Sequence, residues 1–263
     1  MEQTPHRTAA PNPPKGWVIL ATNTGVGKTW VACGLIAALR ARGAVLRVRK
    51  PVETGCQTRA PKNTTEHNER IPADATALWH AAGQTEPLSQ VCPWRFSAAI
   101  AAPQAALKEG KTLHFGADIA PHLPAPNAAQ TVGHQAQYWI IEGAGGLLSP
   151  LTEDSLNIEL ARYTALPVLL IAPDELGTLS ALFCAIEALH QRGIPLAGIV
   201  LNAGAPPNTP PPSALDNAAA LNAWLPRLMP HTLPPPIFKV QVPSDLHQLA
   251  DQLTDQLTNQ PTP

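Results

Sequence analysis

The sequence has little of what marks a membrane, nucleic-acid-binding or disulfide-stabilised protein. No apolar run approaches the roughly 20 residues that a transmembrane helix needs, and the N-terminal segment lacks the apolar core of a secretory signal. The four cysteines form no C-x-x-C pair, which argues against a zinc knuckle or redox motif. The 18 lysines and arginines against 19 acidic residues give a formal net charge of -1, and so no polycationic surface for nucleic acid or membrane. We expect a soluble, cytoplasmic protein whose partners are small molecules, with no nucleic-acid and no membrane partner.

Histidines at metal-ligand spacing are also missing, while proline is abundant. None of the nine histidines forms an H-x-x-x-H pair, so no zinc site is predicted. Many of the 30 prolines lie in clusters that resist both helix and central strand, and these clusters are interpreted as a tail and three surface connections. We therefore expect a Pro-rich N-terminal tail at 1–16, a single domain at 17–258 and a short C-terminal tail at 259–263.

Six apolar runs of strand length recur along the chain, with helical stretches between them. Continuous apolar strands that alternate with helices indicate a parallel sheet covered on both faces. The sequence thus predicts an α/β fold with a mostly parallel, twisted sheet and helices on both faces. The predicted strands are residues 17–22, 44–50, 138–143, 167–173, 196–202 and 236–241.

The segments between these runs are predicted from periodicity and turn residues. Residues 27–43 and 179–193 carry apolar stripes at helical spacing, and each ends at a glycine, a common helix C-cap. Residues 56–72 are polar and turn-rich, which favours a loop. Residues 73–133 are rich in alanine and predict helices with no clear strand.

The stretch "ATNTGVGKTW" follows the first strand and resembles a phosphate-binding loop. Gly25 and Gly27 allow backbone N–H groups to turn toward an anion, Lys28 adds a charge, and Thr29 offers a hydroxyl to Mg²⁺. The usual first glycine is absent, because Thr22 stands in its place. The alternative is a tight turn with a chance "GK". The position between an apolar strand and an amphipathic helix favours the loop and a P-loop-type sheet.

Polar residues end three other predicted strands and should meet this loop, because ligands of open parallel sheets bind beyond the carboxyl ends of the strands. Lys50 begins "KPVETG", Glu142 begins "EGAGG", and Asn202 ends the fifth strand. Lys50 could hold a transferring phosphoryl group or an anionic intermediate. Glu142 suits a Mg²⁺ ion that bridges phosphate oxygens. Asp74, in "PADATAL", is by itself equally explained as an acid at a helix N-terminus.

Taken together, these motifs resemble those of the dethiobiotin synthetase family of the biotin pathway. The resemblance runs from Trp17 to about Val242, and it rests on "ATNTGVGKT", "KPVETG", "ADATAL", "EGAGGLLSPL", "LGTLSA" and "LNA" in this order. It implies an ATP- and Mg²⁺-dependent ring closure in which 7,8-diaminopelargonic acid takes up CO₂ as a carbamate. ATP then phosphorylates the carbamate, and the second amine displaces phosphate to form dethiobiotin.

Site roles follow from the resemblance, position by position. A homodimer is implied, with the substrate carboxylate held across the interface at the helix start in "LGTLS" (176–180). The implied residues are Thr24, Gly25, Val26, Gly27, Lys28, Thr29, Asn202 and Pro243 for ATP; Thr29, Asp74 and Glu142 for Mg²⁺; Lys50, Thr54, Gly145, Gly177, Thr178 and Ser180 for the substrate; and Lys50 and Lys28 for catalysis.

Two rival functions and one set of departures stand beside this resemblance. A cobyrinic-acid-type amide ligase would need a glutaminase domain for which the chain has no room. A ParA- or MinD-like switch ATPase carries an early second lysine in its loop, where this chain has Thr22 or Asn23. The departures are Ala21, Asn23 and Gly25, where family members have glycine, often aspartate, and in some cases glutamate. These positions put diamine affinity, rather than the ATP site, in question.

Overall fold

The structure is a computed structural model that describes residues 13–59, 69–125, 137–204, 215–230 and 232–258. The strands in these residues are β1 (Gly16–Ala21), β2 (Val45–Arg49), β3 (Val52–Thr54), β4 (Gln57–Arg59), β5 (Glu69–Ile71), β6 (Trp94–Phe96), β7 (Gln137–Glu142), β8 (Pro150–Thr152), β9 (Ser155–Leu156), β10 (Val168–Pro173), β11 (Leu196–Asn202) and β12 (Ile237–Val240). The α-helices are α1 (Lys28–Ala41), α2 (Ala73–Ala81), α3 (Leu88–Val91), α4 (Ala102–Lys108), α5 (Glu159–Thr164), α6 (Thr178–Gln191), α7 (Asn217–Leu228) and α8 (Asp245–Thr258).

The centre of the fold is a six-stranded sheet in the order β12-β11-β10-β1-β7-β2, and every neighbouring pair in it is parallel. These are the six strands that the apolar runs predict, and the α/β fold class is confirmed. Because β1 lies between β10 and β7, the loop that follows β1 leaves the middle of the carboxyl edge. The strands that end at Lys50 and Glu142 lie on one side of this loop, and the strand that ends at Asn202 lies on the other.

Helices cover both faces of the sheet, and each face has its own core. Along β1 the side chains alternate: Val18 and Leu20 belong to one cluster, which includes residues of α6 and α7. Trp17 and Ile19 belong to the other cluster, which includes residues of α1, α2 and α8. Both clusters are buried, and β1 is fully inaccessible from Trp17 to Ala21. The strand is therefore apolar throughout because it faces a core on each side.

Two segments contain short strands that the sequence does not predict. The expectation of no strand in 73–133 is wrong, since Trp94–Phe96 forms β6 and pairs in parallel with Val52–Thr54. Within the predicted loop 56–72, β4 and β5 pair antiparallel. Runs of three residues are too short to show a period, so only their pairing partners define them as strands.

Several other expectations fall partly on residues that the structure does not describe. Residues 1–12 of the predicted N-terminal tail and the predicted C-terminal tail at 259–263 lie outside the described residues, and so does the whole Pro-rich segment 205–213. The domain boundaries therefore stay a prediction. Among the described residues, no helix combines the length and the apolar character that a membrane crossing requires.

Candidate active site

The loop between β1 and α1 has the backbone conformation that an anion-binding loop needs, although its first glycine is missing. Gly25 and Gly27 have φ angles of 77° and 90°, in the left-handed region that favours glycine. A Cβ on Gly27 would also overlap the side-chain amide of Asn202. That amide donates to the carbonyl oxygen of Val26 (2.9 Å), and its own oxygen accepts from the N–H of Gly204 (3.1 Å). Asn202 therefore holds the loop from a strand on the far side of β10.

Lys28, the lysine of the loop, is a buried cation whose ammonium group donates to a backbone carbonyl, while the carboxylates of Glu142 and Asp74 offset only part of the effect of its burial. It is 7 % exposed, and its Nζ donates to the carbonyl oxygen of Asn23 at 3.3 Å. Burial, together with the nearby Lys50 ammonium, lowers the pKa of Lys28 to about 8. An anion bound in the loop would supply the missing negative charge, so the site favours anions at neutral pH.

Four side chains from four elements meet beside the loop. Glu142 Oε1, at the end of β7, accepts from Thr29 Oγ1 (2.8 Å) and from Lys50 Nζ (2.6 Å). The same Nζ lies 3.2 Å from Asp74 Oδ2, at the start of α2. The sequence prediction that Lys50, Glu142 and Thr29 meet at one edge of the sheet therefore agrees with the structure. Asp74 joins them as well, while also lying in the first turn of a helix.

Charge in this cluster is concentrated on buried groups. Glu142 is fully buried and Lys50 is 3 % exposed. Burial alone would lower the pKa of Lys50, but the carboxylates of Glu142 and Asp74 outweigh it and raise the pKa above its ordinary value. Lys50 therefore stays protonated at any physiological pH. The second carboxylate oxygen of Glu142, Oε2, is buried and has no hydrogen-bond partner among the described residues.

The side-chain oxygens of Glu142, Asp74 and Thr29 suit a hard divalent cation that also binds the phosphate oxygens of a nucleotide. Among the described residues, no group of three or more His, Cys, Asp and Glu side chains could hold a metal by itself. Mg²⁺ does not need such a cage, because it takes one or two carboxylates together with phosphate oxygens and water. The unpartnered Oε2 of Glu142, the carboxylate of Asp74 and the hydroxyl of Thr29 provide that partial set of donors.

A cavity of about 310 Å³ opens between the loop and these side chains. A second cavity of about 380 Å³ adjoins it, because both are lined by Thr24, Thr54, Ala144 and Gly145. The second cavity extends to Ile100 at the start of α4, where its walls are largely apolar small side chains. The pair could hold a polyanion next to a longer, partly apolar molecule. The first cavity is lined by Thr24, Gly25, Gly27, Lys28, Thr29, Lys50, Glu53, Thr54, Asp74, Ala144 and Gly145.

Other predicted residues do not line these cavities. Gly177, Thr178 and Ser180 lie at the start of α6, which follows β10 at the same edge of the sheet. Gly177 and Ser180 are exposed, whereas Thr178 is buried and its hydroxyl has no partner among the described residues. Pro243 is exposed in the turn before α8, and Asn202 is 2 % exposed. Their assigned roles in ligand binding stay predictions.

The sequence prediction missed two residues near the site. Glu53 lines the first cavity and is 6 % exposed; burial raises its pKa, although the N–H of Ala75 and the Lys50 ammonium act in the opposite direction. Trp30 is 37 % exposed, and its Cη2 atom would lie 3.6 Å from a Cβ on Gly204. The sequence does contain a signal for each residue: Glu53 is an acid inside "KPVETG", and Trp30 is an aromatic residue directly after the loop. Neither could be assigned a role from these signals, because the residues that each contacts are distant in sequence.

Comparison with known proteins shows the family. A family described as "AAA domain" matches residues 15–232. An ATP-dependent dethiobiotin synthetase BioD of Anaeromyxobacter dehalogenans is 38% identical over 196 residues, which cover 74% of this chain and 80% of that protein. The chain belongs to the dethiobiotin synthetase family.

Other members of the dethiobiotin synthetase family show the same relationship. The protein of this name from Rhodopirellula baltica is 35% identical and covers 71% of this chain and 72% of its own length. That of Acidiphilium cryptum is 33% identical over 79% of this chain and 95% of its own. A solved nucleotide-binding protein in complex with ADP from Archaeoglobus fulgidus gives a TM-score of 0.37 at 15% identity, over 90% of this chain and 86% of that chain. The dethiobiotin synthetases of Anaeromyxobacter dehalogenans, Rhodopirellula baltica and Acidiphilium cryptum match most of the chain, and they confirm the family resemblance of the sequence motifs.

Proposed function

We propose that the protein is an ATP- and Mg²⁺-dependent dethiobiotin synthetase, a ligase that forms the C–N bonds of a cyclic urea. Its substrates would be 7,8-diaminopelargonic acid, CO₂ and ATP, and its place of action the cytoplasm. Membership of the family and the names of the relatives support this activity. The observation that carries it for this chain is the buried Lys50 ammonium, which faces a cavity between a phosphate loop and two carboxylates.

The proposed reaction has three steps. One amine of the diamine attacks CO₂ and loses a proton, which gives a carbamate. A carbamate oxygen then attacks the γ-phosphorus of ATP and ADP leaves, so the carbamate becomes a mixed anhydride with phosphate. Finally the second amine attacks the carbamoyl carbon, the C–O bond to phosphate breaks, and phosphate and a proton leave as the ring closes. Every nucleophile comes from the substrates, so no side chain has to form a covalent bond.

The phosphate chain of ATP would lie along residues 24–29. The positive-φ backbone at Gly25 and Gly27 and the buried Lys28 ammonium support an anion site there. Mg²⁺ would be held by Thr29, Asp74 and Glu142, which offer only oxygen donors. When bound, the ion would neutralise part of the phosphate charge. Asn202 and Pro243 would lie on the adenine side, since β11 and β12 lie across the loop from Lys50 and Glu142.

Two lysines would neutralise the negative charges of the reactants. The carbamate and the triphosphate are both anions, and they repel each other unless cations lie between them. Lys28 comes from the loop and Lys50 from the end of β2, and both line the same cavity. Thr54 and Gly145 line it as well, and they would hold the carbamate end of the substrate. Positioning and charge neutralisation would thus supply most of the acceleration.

The far end of the substrate would be bound in a homodimer. Gly177 and the neighbouring Leu176 are exposed at the start of α6, outside the cavity of their own chain. The N-terminus of a helix favours a carboxylate. We infer that Gly177, Thr178 and Ser180 of one copy meet the substrate carboxylate that enters the site of the other copy.

The deciding experiment incubates the purified protein with ATP, Mg²⁺, diaminopelargonic acid and ¹³C-bicarbonate, and identifies the product by mass spectrometry. We expect labelled dethiobiotin and ATP turnover that requires both diamine and bicarbonate. ATP hydrolysis that ignores the diamine but responds to DNA would instead favour a switch ATPase. Turnover with glutamine and a carboxylic acid would favour an amide ligase.

Lys50→Ala is expected to lower turnover by about two to four orders of magnitude, because it removes the charge that faces the carbamate and the transferred phosphoryl group. Steady-state kinetics would give this number, and calorimetry should find ATP binding largely retained. Lys239→Ala is the matched control, since Lys239 pairs with Asp216 at the surface. Unchanged turnover in Lys50→Ala would remove Lys50 from this role.

A further inference from the structure

Helix α2 begins with a carboxylate cap that comes from a distant strand. The residue that precedes the helix is Pro72, whose hydrocarbon side chain cannot accept a capping hydrogen bond. Instead Glu53, on β3, accepts from two successive N–H groups of the first turn, those of Asp74 (3.0 Å) and Ala75 (2.8 Å). The free N–H groups of a helix start need such acceptors, and an anion there also complements the helix dipole.

Both oxygens of Glu53 are used in this contact. Oε1 accepts from Asp74 and Oε2 from Ala75, so the carboxylate spans the two donors as a fork. Glu53 also lines the cavity together with Asp74, so it could be taken for a further metal ligand. The hydrogen bonds give Glu53 a different task, because each of its oxygens already accepts from the backbone of α2.

The side chain of Asp74 has few contacts of its own that fix its position. Its side chain is 48 % exposed, and within the part of the chain that the structure describes its one ion pair is the 3.2 Å contact with Lys50. An exposed carboxylate with a single partner is held mainly by the backbone that carries it. That backbone is the first turn of α2, whose N–H at Asp74 itself is bound by Glu53.

We propose that Glu53 is a positioning residue, which fixes the first turn of α2 so that Asp74 stays directed at Lys50 and the metal-nucleotide side of the cavity. The inference rests on the proposed function, in which Asp74 is a ligand of Mg²⁺. It assigns the glutamate of "KPVETG" a purpose distinct from that of Lys50 in the same motif.

Glu53→Gln tests the proposal with almost no change in size. The amide keeps one acceptor oxygen, but its NH₂ group meets a backbone N–H, so one of the two capping bonds is lost. We expect Mg²⁺–ADP affinity to fall by about tenfold, as for other residues that orient a metal ligand. Calorimetry with Mg²⁺–ADP, and with ADP in EDTA, would show whether the loss is confined to the metal-dependent part of binding.

A double-mutant cycle with Asp74→Asn tests whether Glu53 acts through Asp74. If it does, the double variant binds Mg²⁺–ADP no more weakly than Asp74→Asn alone. Losses that add in the double variant would overturn the proposal, as would a Glu53→Gln protein with wild-type Mg²⁺–ADP affinity. Glu109→Gln is the matched control, because Glu109 also accepts from a backbone N–H, that of Ser97, but does not line the cavity.

Two other outcomes, misfolding of the Glu53→Gln variant and failure of the proposed function, can be distinguished from failure of the proposal on Glu53. If Glu53→Gln does not fold, Glu53→Asp keeps two acceptor oxygens, and the proposal requires it to show the same metal-selective loss in smaller degree. If the wild type binds Mg²⁺–ADP but makes no dethiobiotin, the proposed function fails while the binding measurements on Glu53 keep their meaning.

Discussion

The protonated form of Lys28 is less favourable in the folded protein than in the unfolded chain. Its pKa is lowered to about 8 from 10.5, so the folded protein holds the proton less tightly than the unfolded chain does. Protonated Lys28 therefore costs stability at all pH values below about 8, and this cost fades as pH rises toward 10.5. In the proposed nucleotide complex, attraction to the bound phosphates would offset this cost.

Lys28→Met should separate these two effects. At pH 7 and without nucleotide, we expect the melting temperature to stay the same or to rise, because a buried charge is replaced by an apolar chain of similar length. The rise in melting temperature that we expect ATP to cause in the wild type should disappear. Differential scanning fluorimetry with and without ATP measures both, and Lys239→Met serves as the control. A destabilised variant that still responds to ATP would contradict this account.

The sequence predicted the charged residues of the site, but it did not predict Glu53, which holds the backbone beside them. Lys28, Lys50 and Glu142 are charged residues that follow apolar strands, and this contrast is visible in the sequence. Glu53 lies only three residues after Lys50, yet its partners are the backbone N–H groups of residues 74 and 75. A contact between a side chain and distant backbone has no sequence pattern, because every residue except proline can supply the N–H group.

Among the elements, the edge strand β2 is fixed by a buried ion-pair cluster. Arg49 donates to both oxygens of Glu86, and Arg47 donates to one of them. The side chains of Arg49 and Glu86 are only 7% and 11% exposed, and the guanidinium of Arg49 lies 4.9 Å from the ring centroid of Trp139. Burial works to raise the pKa of Glu86, but the two arginines outweigh it and lower the pKa below its ordinary value.

Glu86→Gln is expected to reduce the free energy of unfolding by about 3 kcal/mol at pH 7, because Arg49 would be left buried without its counter-ion. A carboxylate with a lowered pKa stabilises the fold above its unfolded pKa, and this contribution is lost as pH falls through the folded value. The difference between wild type and variant should thus shrink below about pH 4. Urea unfolding at both pH values measures it. Glu159→Gln, in a surface pair with Arg162, should cost little, and an equal loss in both variants would contradict the argument.

Elements with a long apolar run were predicted, and elements defined only by pairing were not. The inner strands β1, β7, β10 and β11 have buried apolar side chains on both faces, so their apolar character is nearly continuous. In contrast, β3 and β6 have three residues each and are recognised by the register between Val52 and Trp94. Helix α6 was predicted as an element, but its distance from the cavity of its own chain could not be read from its sequence.

On the scale of the whole molecule, one sheet joins two cores. The side chains of β1 alternate between the clusters, so neither core can lose its packing without disturbing the strand that belongs to both. We therefore expect a single cooperative unfolding transition over the described part of the chain. The phosphate loop follows this central strand, so a ligand there stabilises both cores together.

Thermal unfolding followed by far-UV circular dichroism and by tryptophan fluorescence should give coincident curves. Mg²⁺–ATP at about 100 times its dissociation constant should add about 2.7 kcal/mol and shift the whole transition by roughly 5–10 °C. Two separate transitions, or a shift seen by one probe alone, would show that the two cores unfold independently. Mg²⁺ without nucleotide is the control.

The hydrogen bond between Asn202 and Val26 also has a consequence for protein synthesis. The two residues are 176 positions apart, so a growing chain makes the whole phosphate loop long before it makes the amide that holds the loop in shape. Chains emerge from the ribosome N-terminus first. A nascent polypeptide that stops before β11 has the complete loop sequence but lacks this support, and the nucleotide-binding loop can be completed only late in translation.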